Sequence, residues 1–175
     1  VFNTNIISSL FISLILSGSY LIKGGFRSNI YADAFQFFVM FAGFIIILVV
    51  SVFSFGGFDF LQTSLPTSHL SITGGTSPAF IVVWFLIALW TFADPGFHQR
   101  AYAAKSGDIA KKGILISIVF FALFDFLTTS TGLYAKAVLP DLSQPMMAYP
   151  LFAEKVLGSG LKGIFYAAMF ATIIS

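Results

Sequence analysis

Residues 80–105 read FIVVWFLIALWTFADPGFHQRAYAAK, an apolar run into which Asp94-Pro95-Gly96 is set, with His98-Gln99-Arg100 close behind. A segment of that composition belongs in lipid, where every backbone N–H and C=O must be paired within the protein, so an interruption there needs a reason. Asp94 is suited to cap a new helix, Pro95 to be its first residue, and Gly96 removes side-chain bulk beside them. The run therefore predicts two half-helices rather than one rod. The second would begin deep in the bilayer, its unpaired N–H groups and positive dipole end facing whatever fills the gap.

Working outward, the whole chain has the same character. Of its 175 residues 58% are hydrophobic, 18% aromatic and only 9% charged, and the mean hydropathy is +0.95. A soluble domain carries about a quarter of its residues as Asp, Glu, Lys and Arg. The apolar residues come in long blocks rather than at every second position, which predicts an all-α integral membrane protein and not a β-barrel. A net charge of +2 without a basic run argues against a nucleic-acid partner, and the absence of cysteine removes disulfides and thiolate metal sites. No nucleophile with a paired base stands out, so an enzyme is not expected.

Four full spans are predicted at 1–22, 32–55, 77–104 and 113–136, with a truncated fifth at 161–175 and exterior loops at 56–76 and 137–160. A hydrocarbon core takes about 20 helical residues, which each of the first four supplies. The run at 1–22 lacks the basic start and small-residue cleavage site of a signal peptide. The chain begins on Val1 and stops in mid-pattern on Ile173-Ile174-Ser175, so 1–175 reads as an internal piece of a single transmembrane domain, with the remaining helices elsewhere in the same chain. Lys23, Arg27, Arg100, Lys105, Lys111 and Lys112 fall in two connections on one side, and Lys136, Lys155 and Lys162 are spread over the other. The positive-inside rule makes the first side cytoplasmic, in a multi-pass protein of the plasma or inner membrane. Loop 56–76, rich in Gly, Ser, Thr and Pro, reads as irregular chain, whereas 151–157, bracketed by Pro145, Pro150 and Gly158-Ser159-Gly160, reads as a short amphipathic stretch lying on the exterior surface.

Ionisable groups inside spans cost about 2.5–3.5 kcal/mol at a helix centre on insertion scales, which makes them functional candidates. Asp94 lies eleven residues before Lys105 and Asp125 thirteen after Lys112. At 1.5 Å per residue both fall roughly 16–20 Å from the cytoplasmic ends, near the midplane. The Asp125 carboxyl is either a coupling group or one bonded to the cluster Thr128-Thr129-Ser130-Thr131 a turn later. His98, four residues after Asp94, is either its partner or a packed or cytoplasm-facing ring. Trp90, one turn before the break, is a candidate to stack on a ligand. Asp33 and Arg100 sit near cytoplasmic boundaries, where a long side chain reaches water, and are candidates for a gate pair.

These residues carry a resemblance. Tyr20, Gly24-Gly25, Asp33 and Gln36 are similar to the Y-x-x-x-G-G-(x)7-D-x-x-Q pattern of the sodium/solute symporter family, which includes the sodium/glucose and sodium/proline cotransporters. Asp94, Gln99-Arg100 and Ala103-Ala104-Lys105 resemble that family's stretch at its broken helix. Leu133-Tyr134-Ala135, Ala148-Tyr149-Pro150-Leu151 and Leu161-Lys162-Gly163 resemble its next helix end, exterior loop and subsequent helix. The resemblance implies a fold like that of the leucine transporter, two inverted five-helix repeats around a midplane site. This chain would then hold the last two core helices of the first repeat and the first three of the second. On that placement Asp94 lies on the substrate side of the break. Thr172 and Ser175 resemble the start of the family's A-x-x-S-S sodium-site stretch, Thr172 through its backbone carbonyl and Ser175 through its hydroxyl. Thr172 replaces the common Ala, the second Ser lies beyond residue 175, and Ala32 replaces a frequent Thr beside Asp33.

The expected function is sodium-coupled symport of a small polar solute by alternating access, with the lipid bilayer and the solute as partners and a sodium ion, not tightly bound, as co-transported cofactor. Two alternatives stay open. One is proton coupling through Asp125 or through Asp94 with His98. The other is a sensory membrane module of a signalling protein built on the same fold.

Overall fold

The structure is a computed structural model that describes residues 5–174, apart from the side chains at 6, 13, 16, 17, 20, 21, 23 and 174. Ser175 and the side chains of Tyr20 and Lys23 lie outside the described residues. All regular elements among those described are helical: α1 (Ile6–Phe55), α2 (Phe58–Ser64), a 3-10 turn (Thr67–Leu70), α3 (Pro78–Ile87), a second 3-10 turn (Ala88–Phe92), α4 (Pro95–Tyr102), α5 (Gly107–Val138), a third turn (Pro145–Met147), α6 (Ala148–Val156) and α7 (Ser159–Ile174).

Fifty residues of α1 at 1.5 Å each would make a rod of roughly 75 Å, more than twice a hydrocarbon core of about 30 Å. The rod is broken at Gly25, whose φ of 56° and ψ of −156° belong to a region that only glycine enters without strain. The second Gly of the Gly24-Gly25 motif is thus a hinge in the backbone. Residues Gly24–Phe55 and Gly107–Val138 are each long and apolar enough to cross a membrane, and a third span arises if the pair Pro78–Phe92 and Pro95–Tyr102, bent by 46°, counts as one. Ser159–Ile173 is apolar but shorter.

Local rules set the boundaries. Helix α5 begins at Gly107, ahead of the 113 read from hydropathy, because Ser106 Oγ accepts from the Ile109 amide at 3.4 Å and Asp108 sits in the first turn, where the helix dipole favours an anion. The loop after α1 is not irregular throughout, as its composition suggested. It folds into α2 and a 3-10 turn because Leu61 and Leu65 can both be buried while Phe60 stacks on Tyr134. The amphipathic stretch before α7 is a helix, starting at Ala148, three residues ahead of the 151 read from the sequence.

The chain divides into two units, Val1–Val50 with Ala153–Ser175, and Ser51–Phe152. In the first, Phe44 meets Phe165 edge-on at 5.3 Å, and Gly43 is buried against Ala168 so closely that a methyl group there would collide with it. Small residues admit such close helix packing in membranes. In the second, Tyr134 is buried and its hydroxyl donates to the Gly56 carbonyl at 2.6 Å, while the Tyr149 hydroxyl donates to the Thr128 carbonyl at 3.0 Å over the open face of Gly132. The middle of α5 and nearly all of α3 are apolar and uncovered: Leu115, Ile118, Val83 and Phe85 are all exposed. A helix that is hydrophobic all round is one that lipid or further protein surrounds.

Candidate functional site at the broken span

The break is assembled from four consecutive local decisions. First, α3 tightens into the 3-10 turn Ala88–Phe92, where the Trp90 carbonyl accepts from both the Ala93 amide (2.8 Å) and the Asp94 amide (3.0 Å). Second, Asp94 leaves helical geometry, with ψ of 117°. Third, its Oδ1 accepts from the Gly96 amide at 2.7 Å, the capping bond expected of Asp at this position. Fourth, Pro95 opens α4 as its first residue, where a missing N–H costs nothing. The interruption expected from the sequence is present, with Asp94 as its cap and Pro95 as the first residue of the re-started helix.

In an unbroken helix the Gly96 amide would bond the Phe92 carbonyl. Here Asp94 has taken that amide, and the freed carbonyl lies 2.7 Å from His98 Nε2. Because a carbonyl only accepts, the ring nitrogen must carry the proton, in the neutral Nε2–H tautomer or the imidazolium. His98 is thus neither Asp94's hydrogen-bond partner nor a loose surface ring. Sequence reasoning missed this because the ring reaches a carbonyl six residues back, a contact only the bend creates. Gly96 contributes by its absence of a side chain: a Cβ there would sit 3.0 Å from Asp94 Oδ1 and 3.4 Å from Arg100 Nη1.

The other candidates lie where each can be described. Trp90 is 68% exposed beside the break, while its own carbonyl is occupied. Arg100 directs Nη1 to the Gly96 carbonyl at 3.5 Å, a weak contact within α4. Asp33, half-buried, accepts from Asn29 Nδ2 at 3.2 Å one turn earlier, and one turn later the Gln36 Oε1 is buried with no hydrogen-bond partner among the described residues. Asp125 is exposed on α5, and the Thr128 hydroxyl goes to the backbone carbonyls of Phe124 and Asp125 rather than to the carboxylate. Thr172 spends its hydroxyl on the Ala168 carbonyl at 2.9 Å. Ser175 lies outside the described residues.

The family model for sodium:solute symporters matches residues 1–175. The chain belongs to this family. Among its relatives, the sodium/pantothenate symporter of Escherichia coli (strain K12) is 31% identical over 163 residues, covering 89% of this chain and 34% of that protein. The uncharacterized symporter YidK of the same strain is 33% identical over 167 residues (89% and 29%), and the sodium/myo-inositol cotransporter 2 of Bos taurus 25% over 203 (93% and 30%). This sodium:solute symporter chain therefore spans about a third of each relative's length. No solved structure matches it. The names of two of these relatives carry sodium together with a solute, pantothenate in one and myo-inositol in the other.

Proposed function

We propose that this chain is part of a single transmembrane domain of a multi-pass transporter in the plasma or inner membrane. That transporter couples inward sodium movement to uptake of a small polar solute by alternating access. The observation that carries the reading is the Asp94 break: an ionisable N-cap and a re-started helix within an apolar span. Its polar backbone is tolerated at membrane depth only where it lines a cavity. The solute meets the free oxygen of the Asp94 carboxylate and stacks on the Trp90 indole. Sodium, a hard cation that favours oxygen ligands, is held by the Thr172 carbonyl and the Ser175 hydroxyl with ligands from helices outside this chain segment. Asp33, Asp125 and Arg100 are the candidates for gating or coupling. The parent fold is a leucine-transporter-like inverted repeat, of which residues 1–175 supply four full spans and a fifth in part.

The test is uptake by the full-length protein in vesicles, with inward sodium or potassium gradients, over a panel of labelled polar solutes that includes pantothenate and myo-inositol, the solutes in the relatives' names. Accumulation of one solute under sodium alone is expected. Accumulation driven equally by a proton gradient without sodium would overturn the coupling assignment, and no accumulation of any panel member would overturn the transport reading.

A further inference from the structure

At the break one amide proton has two possible acceptors. The Gly96 N–H can return to the Phe92 carbonyl, as in a regular helix, or stay on Asp94 Oδ1, where it lies at 2.7 Å. Only the second arrangement fixes the carboxylate, with Oδ1 engaged and Oδ2 left to face a solute. The Phe92 carbonyl is the competitor; His98 Nε2, 2.7 Å away, satisfies it in the bent arrangement, and the amide would have to share it with the ring in a straight one. The ring is held in turn by stacking on Tyr102, with centroids 6.1 Å apart and planes 23° from parallel. We infer that His98 is a positioning residue for the solute contact: by engaging the Phe92 carbonyl it keeps the Gly96 amide on Asp94 and so sets which carboxylate oxygen is presented. The inference rests on the solute reading of the break.

Two features make it specific. His98 acts through a donor N–H at a fixed reach, so a ring without that donor should fail and a flexible amide with it should succeed. It also acts through Asp94, so its effect should vanish once the carboxylate is gone. A hydrogen bond is worth about 0.5–1.5 kcal/mol net, which corresponds to about a two- to tenfold change in affinity.

The experiment uses the full-length transporter in vesicles and the panel solute that it accumulates most strongly under sodium, with uptake referred to the amount of protein in the membrane. His98→Phe keeps a ring to stack on Tyr102 and loses the donor; it should raise the half-saturating solute concentration by about three- to tenfold and leave the maximal rate within about twofold. His98→Gln restores an N–H and should return the half-saturating concentration to within about twofold of the parent. In an Asp94→Asn background, His98→Phe should add less than about twofold, because coupled residues are not additive. Where His98→Phe fails to reach the membrane, His98→Leu takes its place. Equal losses in the Phe and Gln variants, no loss in the Phe variant, or full additivity with Asp94→Asn would each overturn the positioning role while leaving Asp94 as a solute contact. Unchanged affinity in Asp94→Asn itself would remove the solute reading, and this inference with it.

Discussion

Gly96 holds the geometry of the break open. A methyl group there would sit 3.0 Å from Asp94 Oδ1, so in Gly96→Ala the carboxylate must give by a few tenths of an ångström and its bond to the amide weakens. Complete loss of an N-cap bond costs about 0.5–2 kcal/mol, so the half-saturating solute concentration should rise, by no more than about thirtyfold, with membrane abundance retained. Unchanged affinity would mean the carboxylate has another way to face the solute. The proposed sodium ligands make a second prediction. Because the Thr172 hydroxyl is already engaged with the Ala168 carbonyl, Thr172→Ala should barely move the sodium concentration for half-maximal uptake, whereas Ser175→Ala should raise it clearly. Equally large effects would argue against this pair. Much at this scale was legible in the sequence: Asp as cap, Pro at the first helical position and Gly beside them are rules of the local backbone. His98 was not legible, since its partner is set by a bend of 46° rather than by sequence spacing.

The short helix α6 is held through its two ends. At its start the half-buried Tyr149 hydroxyl bonds the Thr128 carbonyl, and burial pushes its phenol above the usual value, so it remains a donor at physiological pH. That hydroxyl lies 3.4 Å from where a Cβ on Gly132 would be. Tyr149→Phe should therefore cost about 0.5–1.5 kcal/mol in thermal stability of the full-length protein, and Gly132→Val at least as much. A milder valine variant would mean the hydroxyl is not seated over that glycine. Towards its end Glu154 accepts from Lys162 Nζ (2.7 Å) and from the Tyr166 hydroxyl (2.6 Å) of α7. The Lys162 bond first, and then that from Tyr166, hold the Glu154 carboxyl below its ordinary 4.5. A folded value below the unfolded one gives stability that is present above the ordinary value and lost as pH falls through the depressed one. The stability difference between the parent and Glu154→Gln should thus stay level from about pH 7 to about pH 5 and shrink only in stronger acid. A loss centred near neutrality would contradict the tie. The elements themselves were uneven in their legibility. The amphipathic stretch at 151–157 was legible, although Pro150 falls in the first turn of α6 rather than ahead of it, but α2 was hidden, because its stability comes from burying Leu61 and Leu65 and not from a strong local helix signal.

For the molecule as a whole, composition alone announced the all-helical membrane class, because charge content and block length are properties of the entire chain. Helix contacts were beyond it: nothing in the spacing of Gly43 pairs it with Ala168, 125 positions away. The sidedness argued from Lys and Arg is open to a direct check. The segment contains no cysteine, so single cysteines at Lys105 and Lys136, in a full-length protein cleared of any others, should react with a membrane-impermeant thiol reagent from opposite sides, Lys105 from the cytoplasm. Labelling of both from one side would overturn the topology. One tether also imposes an order in time. The Tyr134 hydroxyl closes on the Gly56 carbonyl across 78 positions of chain. At about 5–20 residues per second a ribosome needs roughly 4–16 s to make that interval, during which the end of α1 has no phenol to receive. Leu61, buried in the finished structure, emerges before α5 has been made. Until then the segment after α1 must keep its apolar side chains sheltered without that partner, and the last turn of α1 becomes fixed only once the far end of α5 has left the ribosome.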